Sequence, residues 1–344
     1  MKAAVLTGIR RMEVREVPDP KIEKDTDVLL KIEKVGVCGS DVHYFETGRI
    51  GSQVVRFPFI VGHECAATVA AVGRGVKRVK VGEHVVVEPA VSCHNCDQCN
   101  RGRENTCFNL RFLGTPGQGN GCLSEFIAMP EECCFPIDGR ITIEQGALCE
   151  PLAIAVYSVK QSRLPKSADV AILGAGPIGL SCMICARAEG VRACYMTEKI
   201  DERVRIAKKG GATWAGNPLK QDVVAAILKQ QPLGMDVVYE CAGQQETIDQ
   251  GVDLLRAGGK LMLIGIPRED RISFAIDKIR RKEVAIINIR RQNGCTGAAI
   301  DLVASGKVSP DFMVTHRFRL GQVQEAFELV AAYKDGAVKA MIEM

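Results

Sequence analysis

The stretch Asp169-Val-Ala-Ile-Leu-Gly-Ala-Gly-Pro-Ile-Gly179 decides how the second half of the chain folds. Residues 170–173, after the opening aspartate, are apolar and predict a buried strand at 169–173. Residues 180–189 predict a helix. Between them, Gly174 permits a tight turn, Gly176 lets the backbone approach a pyrophosphate, and Gly179 allows the helix to pack closely on the strand. Because a helix N-terminus offers N–H groups and a positive dipole end to phosphates, this stretch predicts a dinucleotide site.

Glu198 indicates which dinucleotide is bound. It follows the next predicted strand, residues 193–197, where a carboxylate can accept hydrogen bonds from both ribose hydroxyls. A carboxylate would repel a 2′-phosphate, so the sequence favours NAD over NADP. Lys199 and Arg203 point the other way, since a cation could recruit that phosphate.

The pattern of predicted strands and helices along the chain predicts two domains of different fold class. From about residue 152, short apolar strands alternate with helical segments, which predicts a parallel, doubly wound α/β sheet. The first 150 residues are rich in Gly and Val, with alternating stretches at 28–32 and 83–87, and predict a β-rich barrel or sandwich. A helix, a strand and a second helix follow Arg290, and this tail could complete either domain.

Composition excludes several classes of protein. A chain of 344 residues is longer than one core usually holds, and 45 Lys and Arg against 41 Asp and Glu give only +4. That charge is too small to predict a nucleic-acid partner, and the absence of a long apolar run predicts no membrane partner and no signal peptide. Fifteen cysteines, an odd number, favour a reduced cytoplasmic protein with metal sites over a disulfide framework.

Four cysteines lie within fifteen residues of one another, at positions Cys93, Cys96, Cys99 and Cys107. Polar neighbours and Gly102 make this stretch a loop, and four thiolates are the donor set of a closed, tetrahedral structural zinc. An iron–sulfur cluster has similar ligand chemistry and stays open as an alternative. His94 is a less suitable ligand because it directly follows Cys93.

A second set of metal-binding side chains is dispersed: Cys38, His63, Glu64 and Glu150. One sulfur, one imidazole and one or two carboxylates suit an open zinc site that keeps a position for a further ligand. Spacing alone does not link these residues, because a lone cysteine or histidine is usually part of a core.

Taken together, these motifs resemble those of the zinc-dependent medium-chain dehydrogenases. The match rests on Cys-Gly-Ser-Asp at 38–41, Gly-His-Glu at 62–64, the four-cysteine loop and the glycine turn, which occur in the family's order along the whole chain. Residues 41–51 and Glu150-Pro-Leu most resemble the polyol branch, the sorbitol (L-iditol 2-) and xylitol dehydrogenases. The resemblance implies a GroES-like catalytic domain at 1–152, completed by 289–344, and a Rossmann NAD-binding domain at 153–288.

The resemblance also implies roles for individual residues. It places the catalytic zinc on Cys38 and His63 with Glu64 or Glu150, and does not say which glutamate binds directly. Ser40 resembles a proton-relay hydroxyl, and the residues implied to contact substrate are Tyr44, Glu150, Arg291 and Gln292. The residues implied to contact the cofactor are Gly174, Gly176, Pro177, Ile178, Gly179, Glu198, Arg203, Ile264, Gly265, Ile266, Ile289 and Arg290.

The activity implied is oxidation of a secondary hydroxyl of a sugar alcohol to a ketose by hydride transfer to NAD, with one catalytic and one structural zinc per subunit. An L-threonine or simple-alcohol dehydrogenase on the same scaffold is the alternative, and a noncatalytic relative that binds zinc or NAD is a third. Phe45 and Gln292 depart from the residues common in the branch, which puts the identity of the polyol in doubt. A homo-oligomer, dimer or tetramer, is expected because a late strand of the parallel sheet offers an edge for pairing.

Overall fold

A computed structural model describes all 344 residues of the chain. The chain forms two compact units. The first unit comprises Met1–Glu150, Thr296–Gly306 and Val314–Met344, and the second unit comprises Pro151–Cys295 and Lys307–Met313.

The chain alternates nineteen strands with ten helices. The strands are β1 (Lys2–Gly8), β2 (Arg11–Glu16), β3 (Asp27–Gly36), β4 (Arg49–Ile50), β5 (Gln53–Val54), β6 (Glu64–Val72), β7 (His84–Val87), β8 (Ala90–Val91), β9 (Arg111–Phe112), β10 (Phe126–Pro130), β11 (Cys134–Pro136), β12 (Asp169–Leu173), β13 (Ala193–Thr197), β14 (Trp214–Gly216), β15 (Met235–Glu240), β16 (Leu255–Leu263), β17 (Ala285–Asn288), β18 (Val314–Arg319) and β19 (Lys339–Glu343). The helices are α1 (Gly39–Thr47), α2 (Asp97–Asn100), α3 (Ile143–Ser162), α4 (Pro177–Ala188), α5 (Asp201–Lys209), α6 (Val223–Gln230), α7 (Gln245–Leu254), α8 (Ile276–Lys282), α9 (Thr296–Ala304) and α10 (Val323–Ala331). None of these helices is both long enough and apolar enough to cross a membrane.

A seven-stranded sheet organises the first unit. Its order is β11-β7-β6-β3-β19-β18, and β10 also pairs with β3. In β3, Val28, Leu30 and Ile32 are buried while Lys31 between them is exposed, which is the period-2 pattern of a strand with one face on a core. The C-terminal strand β19 pairs with β3, so the tail of the chain returns to this first sheet.

A six-stranded parallel sheet organises the second unit. Its order is β14-β13-β12-β15-β16-β17, and the chain reverses its direction of growth between β12 and β15. All five residues of β12 are buried. Asp169, the one charged residue among them, is compensated by Arg192, whose Nε donates to Oδ1 over 2.9 Å. The α/β fold class predicted from the sequence is confirmed by this sheet together with the β-rich first unit.

Candidate metal centres and dinucleotide site

Cys38, His63 and Glu64 lie together in the first unit. Each offers one ligand atom, and these three atoms lie within 4.8 Å of one another. The sheet explains why residues distant in sequence meet, because Gly36 at the end of β3 pairs with Glu64 at the start of β6. Cys38 then stands at the N-cap of α1, directly after that paired end. The structure therefore assembles one sulfur, one imidazole and one carboxylate, a donor set suited to an open zinc site.

Asp41 orients the imidazole of this group. Its Oδ1 lies 3.3 Å from Nδ1 of His63 and accepts a hydrogen bond from the backbone N–H of Gly62 over 3.2 Å. Burial by itself lowers the pKa of His63, but the Asp41 carboxylate and the Cys38 thiolate outweigh burial and raise the pKa well above its usual value. A carboxylate behind a ligating histidine fixes the ring's orientation and increases its basicity, so Asp41 supports a metal site here.

Glu150 lies on α3, directly before Pro151, and is 5% exposed. Its Oε2 atom is buried without a hydrogen-bond partner, and burial raises the pKa of this carboxyl to about 8. Glu150 does not belong to the group whose ligand atoms lie within 4.8 Å of one another. Since an unpartnered buried oxygen is costly, this carboxyl is built to receive a hydrogen bond or a ligand that the chain itself does not supply.

Helix α1 carries two further polar side chains next to Cys38. The Oγ atom of Ser40 donates to Sγ of Cys38 over 3.3 Å. Tyr44 lies one turn later on the same face of the helix, and its hydroxyl donates to Oε1 of Gln53 over 3.1 Å. Two hydroxyl groups therefore follow Cys38 on α1, one bonded to its sulfur and one to the amide of Gln53 on β5.

The four cysteines of the loop also converge. Their sulfur atoms lie within 4.8 Å of one another, at 3.4 Å for Cys93 and Cys107, 3.6 Å for Cys96 and Cys99, and 3.9 Å for Cys96 and Cys107. Four thiolates at about 2.3 Å from one zinc stand about 3.8 Å apart in a tetrahedron, which matches these distances. Hydrogen bonds from the backbone at Asn95 and the side chain of Asn109 lower the pKa of Cys93 to about 6, whereas burial and the neighbouring thiols raise the pKa of Cys99 to about 12. Zinc binding would therefore release protons from this cluster.

In the second unit the glycine turn has the geometry that a pyrophosphate requires. Gly174 has φ +103°, and Gly176 is the N-cap of α4. A Cβ on Gly179 would overlap the carbonyl oxygen of Gly174, whereas a Cβ on Gly176 would meet only Nη1 of Arg203, 3.8 Å away. The helix start is thus packed tightly on the turn at Gly179 and open at Gly176, which is where a phosphate would approach.

Glu198 follows β13 beside this turn. Its carboxylate accepts hydrogen bonds from the backbone N–H of Ala175 over 2.9 Å and of Ile200 over 3.0 Å. Lys199 is engaged elsewhere, because its Nζ donates to Oε1 of Gln244 and to Oε2 of Glu246. The Glu198 carboxylate therefore lies beside the glycine turn, and Lys199 is bonded to other side chains.

The other residues predicted to contact the cofactor stand at the same edge of the sheet. The backbone N–H groups of Ile264 and Gly265, after β16, donate to the carbonyl of Glu240, and that of Ile289, after β17, donates to Leu263, each over 2.9 Å. All the strands are parallel, so these carboxyl ends meet at one edge, the usual binding edge of such sheets. The remaining predicted residues of this unit are Pro177 and Ile178 in the first turn of α4, Arg203 on α5, Ile266 after β16, and Arg290, Arg291 and Gln292 after β17.

Two protein-family models match the chain. "Alcohol dehydrogenase GroES-like domain" matches residues 24–139 and "Zinc-binding dehydrogenase" matches residues 177–305. The sorbitol dehydrogenase of Bacillus subtilis is 37% identical over 99% of this chain and 97% of its own length. The chain belongs to the zinc-dependent dehydrogenases.

Two further similarities extend over the full length of this zinc-dependent dehydrogenase. A probable D-xylulose reductase A of Aspergillus clavatus is 36% identical over 98% of this chain and 95% of its own length. The crystal structure of an Escherichia coli oxidoreductase of unknown specificity superimposes with a TM-score of 0.93, at 32% identity, covering 99% of this chain and 98% of that one. The family resemblance predicted from the sequence is confirmed. The cofactors of this zinc-dependent dehydrogenase are zinc and NAD.

Sequence reasoning did not assign a role to several residues of this zinc-dependent dehydrogenase. Asp41 ends the Cys-Gly-Ser-Asp motif at 38–41, and its place three residues after Cys38 is the sequence signal for a residue that orients a metal ligand. No sequence signal indicated Gln53, which lies in the β4–β5 hairpin and whose amide oxygen accepts a hydrogen bond from the Tyr44 hydroxyl. None indicated Lys339 either, whose ammonium pairs with Glu64.

Replacing Cys96 by Ser is expected to lower the thermal stability of the protein, because the loop of residues 93–107 depends on its metal for order. Zinc content should fall by one equivalent per chain, which metal analysis of the purified protein measures. The control is chelation: after the metal has been stripped from both proteins, wild type and Cys96→Ser should unfold at the same temperature. Equal melting temperatures before chelation would contradict a structural metal at these cysteines.

Proposed function

We propose that this protein oxidises a secondary hydroxyl of a sugar alcohol of the sorbitol or xylitol type to a ketose, with NAD as the hydride acceptor. The observation that carries the proposal is the first-unit site, where Cys38, His63 and Glu64 converge and the buried carboxyl of Glu150 interacts electrostatically with His63 and Glu64. The full-length similarity to a protein named sorbitol dehydrogenase supports the choice of polyol as substrate.

The metal site prepares the alcohol for oxidation. Zinc, when bound by Cys38, His63 and Glu64, supplies a Lewis acid that lowers the pKa of an alcohol hydroxyl. Ser40, whose Oγ adjoins Cys38, is the hydroxyl placed to relay the departing proton onward to a hydroxyl of the cofactor ribose. Glu150 is the second acceptor, because its Oε2 has no hydrogen-bond partner in the chain.

The second unit holds and orients the cofactor. Gly174, Gly176 and Gly179 receive the pyrophosphate at the start of α4, with Pro177 and Ile178 in the same turn. Glu198 accepts the ribose hydroxyls. Binding the nicotinamide in one orientation supplies the proximity that hydride transfer needs. The remaining predicted contacts are Arg203, Ile264, Gly265, Ile266, Ile289 and Arg290 for the cofactor and Tyr44, Glu150, Arg291 and Gln292 for the polyol hydroxyls.

The test is the initial rate of NAD reduction with sorbitol, xylitol, galactitol, L-threonine and ethanol, each with and without a zinc chelator. Turnover of one or two polyols that stops on chelation is the expected result. Turnover of threonine or ethanol alone would reject the polyol assignment while retaining a dehydrogenase. No turnover of any alcohol by zinc-loaded protein that binds NAD would favour a noncatalytic relative.

Replacing Glu198 by Ala is expected to relax the preference for NAD over NADP, because the carboxylate that repels a 2′-phosphate is removed. The ratio of kcat/KM for the two cofactors should fall at least about ten-fold, the effect of about 1.4 kcal/mol. Glu202→Ala on α5, where a paired surface carboxylate is removed, is the matched control and should leave the ratio unchanged. An unchanged ratio in Glu198→Ala would remove this residue from its role.

We also propose a homo-oligomer and a cytoplasmic location. Strand β17 is the edge of the parallel sheet, and Ala285 and Asn288 at its ends are exposed, so a second copy can pair with it. Native mass spectrometry should detect a dimer or tetramer at micromolar concentration, and a monomer would contradict the proposal. None of the fifteen cysteines forms a disulfide, which suits a reducing compartment, and fractionation of the source cells tests the location.

A further inference from the structure

Lys339 is a buried cation that the proposed mechanism leaves without a role. It opens β19 and is 1% exposed. Its Nζ forms an ion pair with Oε2 of Glu64, whose side chain is equally buried, and donates to the carbonyl of Val37 over 3.2 Å. Burying an ammonium is costly unless it is paired, so the arrangement exists because of these two partners.

The backbone is shaped to let the pair form. Strand β3 lies between β6 and β19, and its last residue, Gly36, stands opposite Glu64 on one side and Met341 on the other. The lysine side chain therefore crosses β3 to reach the glutamate. A Cβ on Gly36 would overlap Oε2 of Glu64 and come within 3.3 Å of Cδ of Lys339. Only a glycine leaves this crossing open.

The ammonium also connects both segments that carry the metal-binding residues. Glu64 directly follows His63, and Val37 directly precedes Cys38. The Nζ atom contacts Oε2 of Glu64 and the carbonyl oxygen of Val37, so it touches both segments. One ammonium thus restrains a carboxylate on one side of the site and the peptide before the thiolate on the other.

We propose that Lys339 is a positioning residue that sets the zinc affinity of the Cys38, His63 and Glu64 site by holding the Glu64 carboxylate through one of its oxygens. The inference rests on the proposed function only in taking these three residues as zinc ligands. A carboxylate that is restrained in this way keeps one oxygen for the metal and loses less freedom when it binds. In the second glutamate, Glu150, the buried Oε2 has no hydrogen-bond partner.

The test replaces Lys339 by Met, which keeps the length of the side chain and removes its charge, and measures the zinc dissociation constant with a competing chelator. We expect the zinc dissociation constant of the Cys38, His63 and Glu64 site to rise 10- to 100-fold, the usual effect of losing a partner of a metal ligand. The dissociation constant of the four-cysteine site should not change. Lys339→Arg keeps the cation and should recover most of the affinity. The matched control is Lys282→Met, which removes an ammonium that donates to three backbone carbonyls in the second unit. It should lower stability without changing zinc affinity.

A double variant keeps the test decisive if Lys339→Met does not fold. Lys339→Met combined with Glu64→Gln leaves no unpaired buried charge and should bind zinc as weakly as Glu64→Gln alone, because Lys339 acts through Glu64. Wild-type zinc affinity in Lys339→Met would overturn the proposal, and so would a double variant whose zinc affinity differs from that of Glu64→Gln. These measurements use no alcohol, so a wrong substrate assignment would appear in the turnover panel and leave this result unaffected.

Discussion

Replacing Cys38 by Ala should lower kcat/KM for the polyol at least about a thousand-fold, because the Lewis acid supplies several kcal/mol of transition-state stabilisation and depends on this thiolate. The fold should persist, since Cys38 is only half-buried at the N-cap of α1 and makes no side-chain capping bond there. Steady-state kinetics together with circular dichroism and metal analysis measure the three quantities. The four-cysteine loop should keep its zinc.

The control for Cys38→Ala is a cysteine of the core. Cys194 in β13 is fully buried and lies in the second unit, and Cys194→Ala should change activity little while lowering stability slightly. If Cys38→Ala retained substantial activity with its zinc content unchanged, the first-unit site would not be the catalytic one.

Two glycines of the dinucleotide turn should respond differently to the same substitution. At Gly176, alanine meets only one atom of the protein, 3.8 Å away, and the backbone has an extended conformation that alanine adopts. Gly176→Ala should therefore cost less than about 1 kcal/mol of stability, yet weaken NAD binding at least ten-fold because its methyl group occupies the approach of the pyrophosphate. Calorimetric titration with NAD and thermal unfolding separate the two effects.

Gly179→Ala is the counterpart in which the protein itself is disturbed. The added methyl group would overlap the carbonyl oxygen of Gly174 and stand 3.0 Å from its carbonyl carbon, so α4 must shift away from the turn. We expect a loss of about 1–3 kcal/mol of stability as well as weaker NAD binding. Gly321→Ala, where the added Cβ meets nothing within 4 Å, is the control. Normal NAD binding by Gly176→Ala would show that the phosphate does not approach there.

Local signals predicted much of this protein. The strand at 169–173 and the glycine turn appear as expected, β13 has the predicted bounds 193–197, and the helix predicted at 180–189 spans Pro177–Ala188. The four-cysteine cluster was equally accessible, because its ligands lie within one loop and their spacing by itself indicates a common metal. The dispersed group of Cys38, His63 and Glu64 could not be linked by spacing, and only the family resemblance connected it before the structure placed its ligand atoms together.

The sequence by itself thus determined the α/β class, the dinucleotide turn and the four-cysteine site, since each depends on residues that are neighbours along the chain. Only the tertiary structure decided the surroundings of the first-unit metal site. Gly36, Glu64 and Lys339 stand on three adjacent strands, and the ion pair between the last two exists because the C-terminal strand β19 pairs with β3. Sheet order brings together residues that are hundreds of positions apart, and no local pattern around Lys339 indicates the carboxylate it will meet. The physical reason is that a buried charge is stable only when it is paired, and strand pairing determines which opposite charge lies beside it.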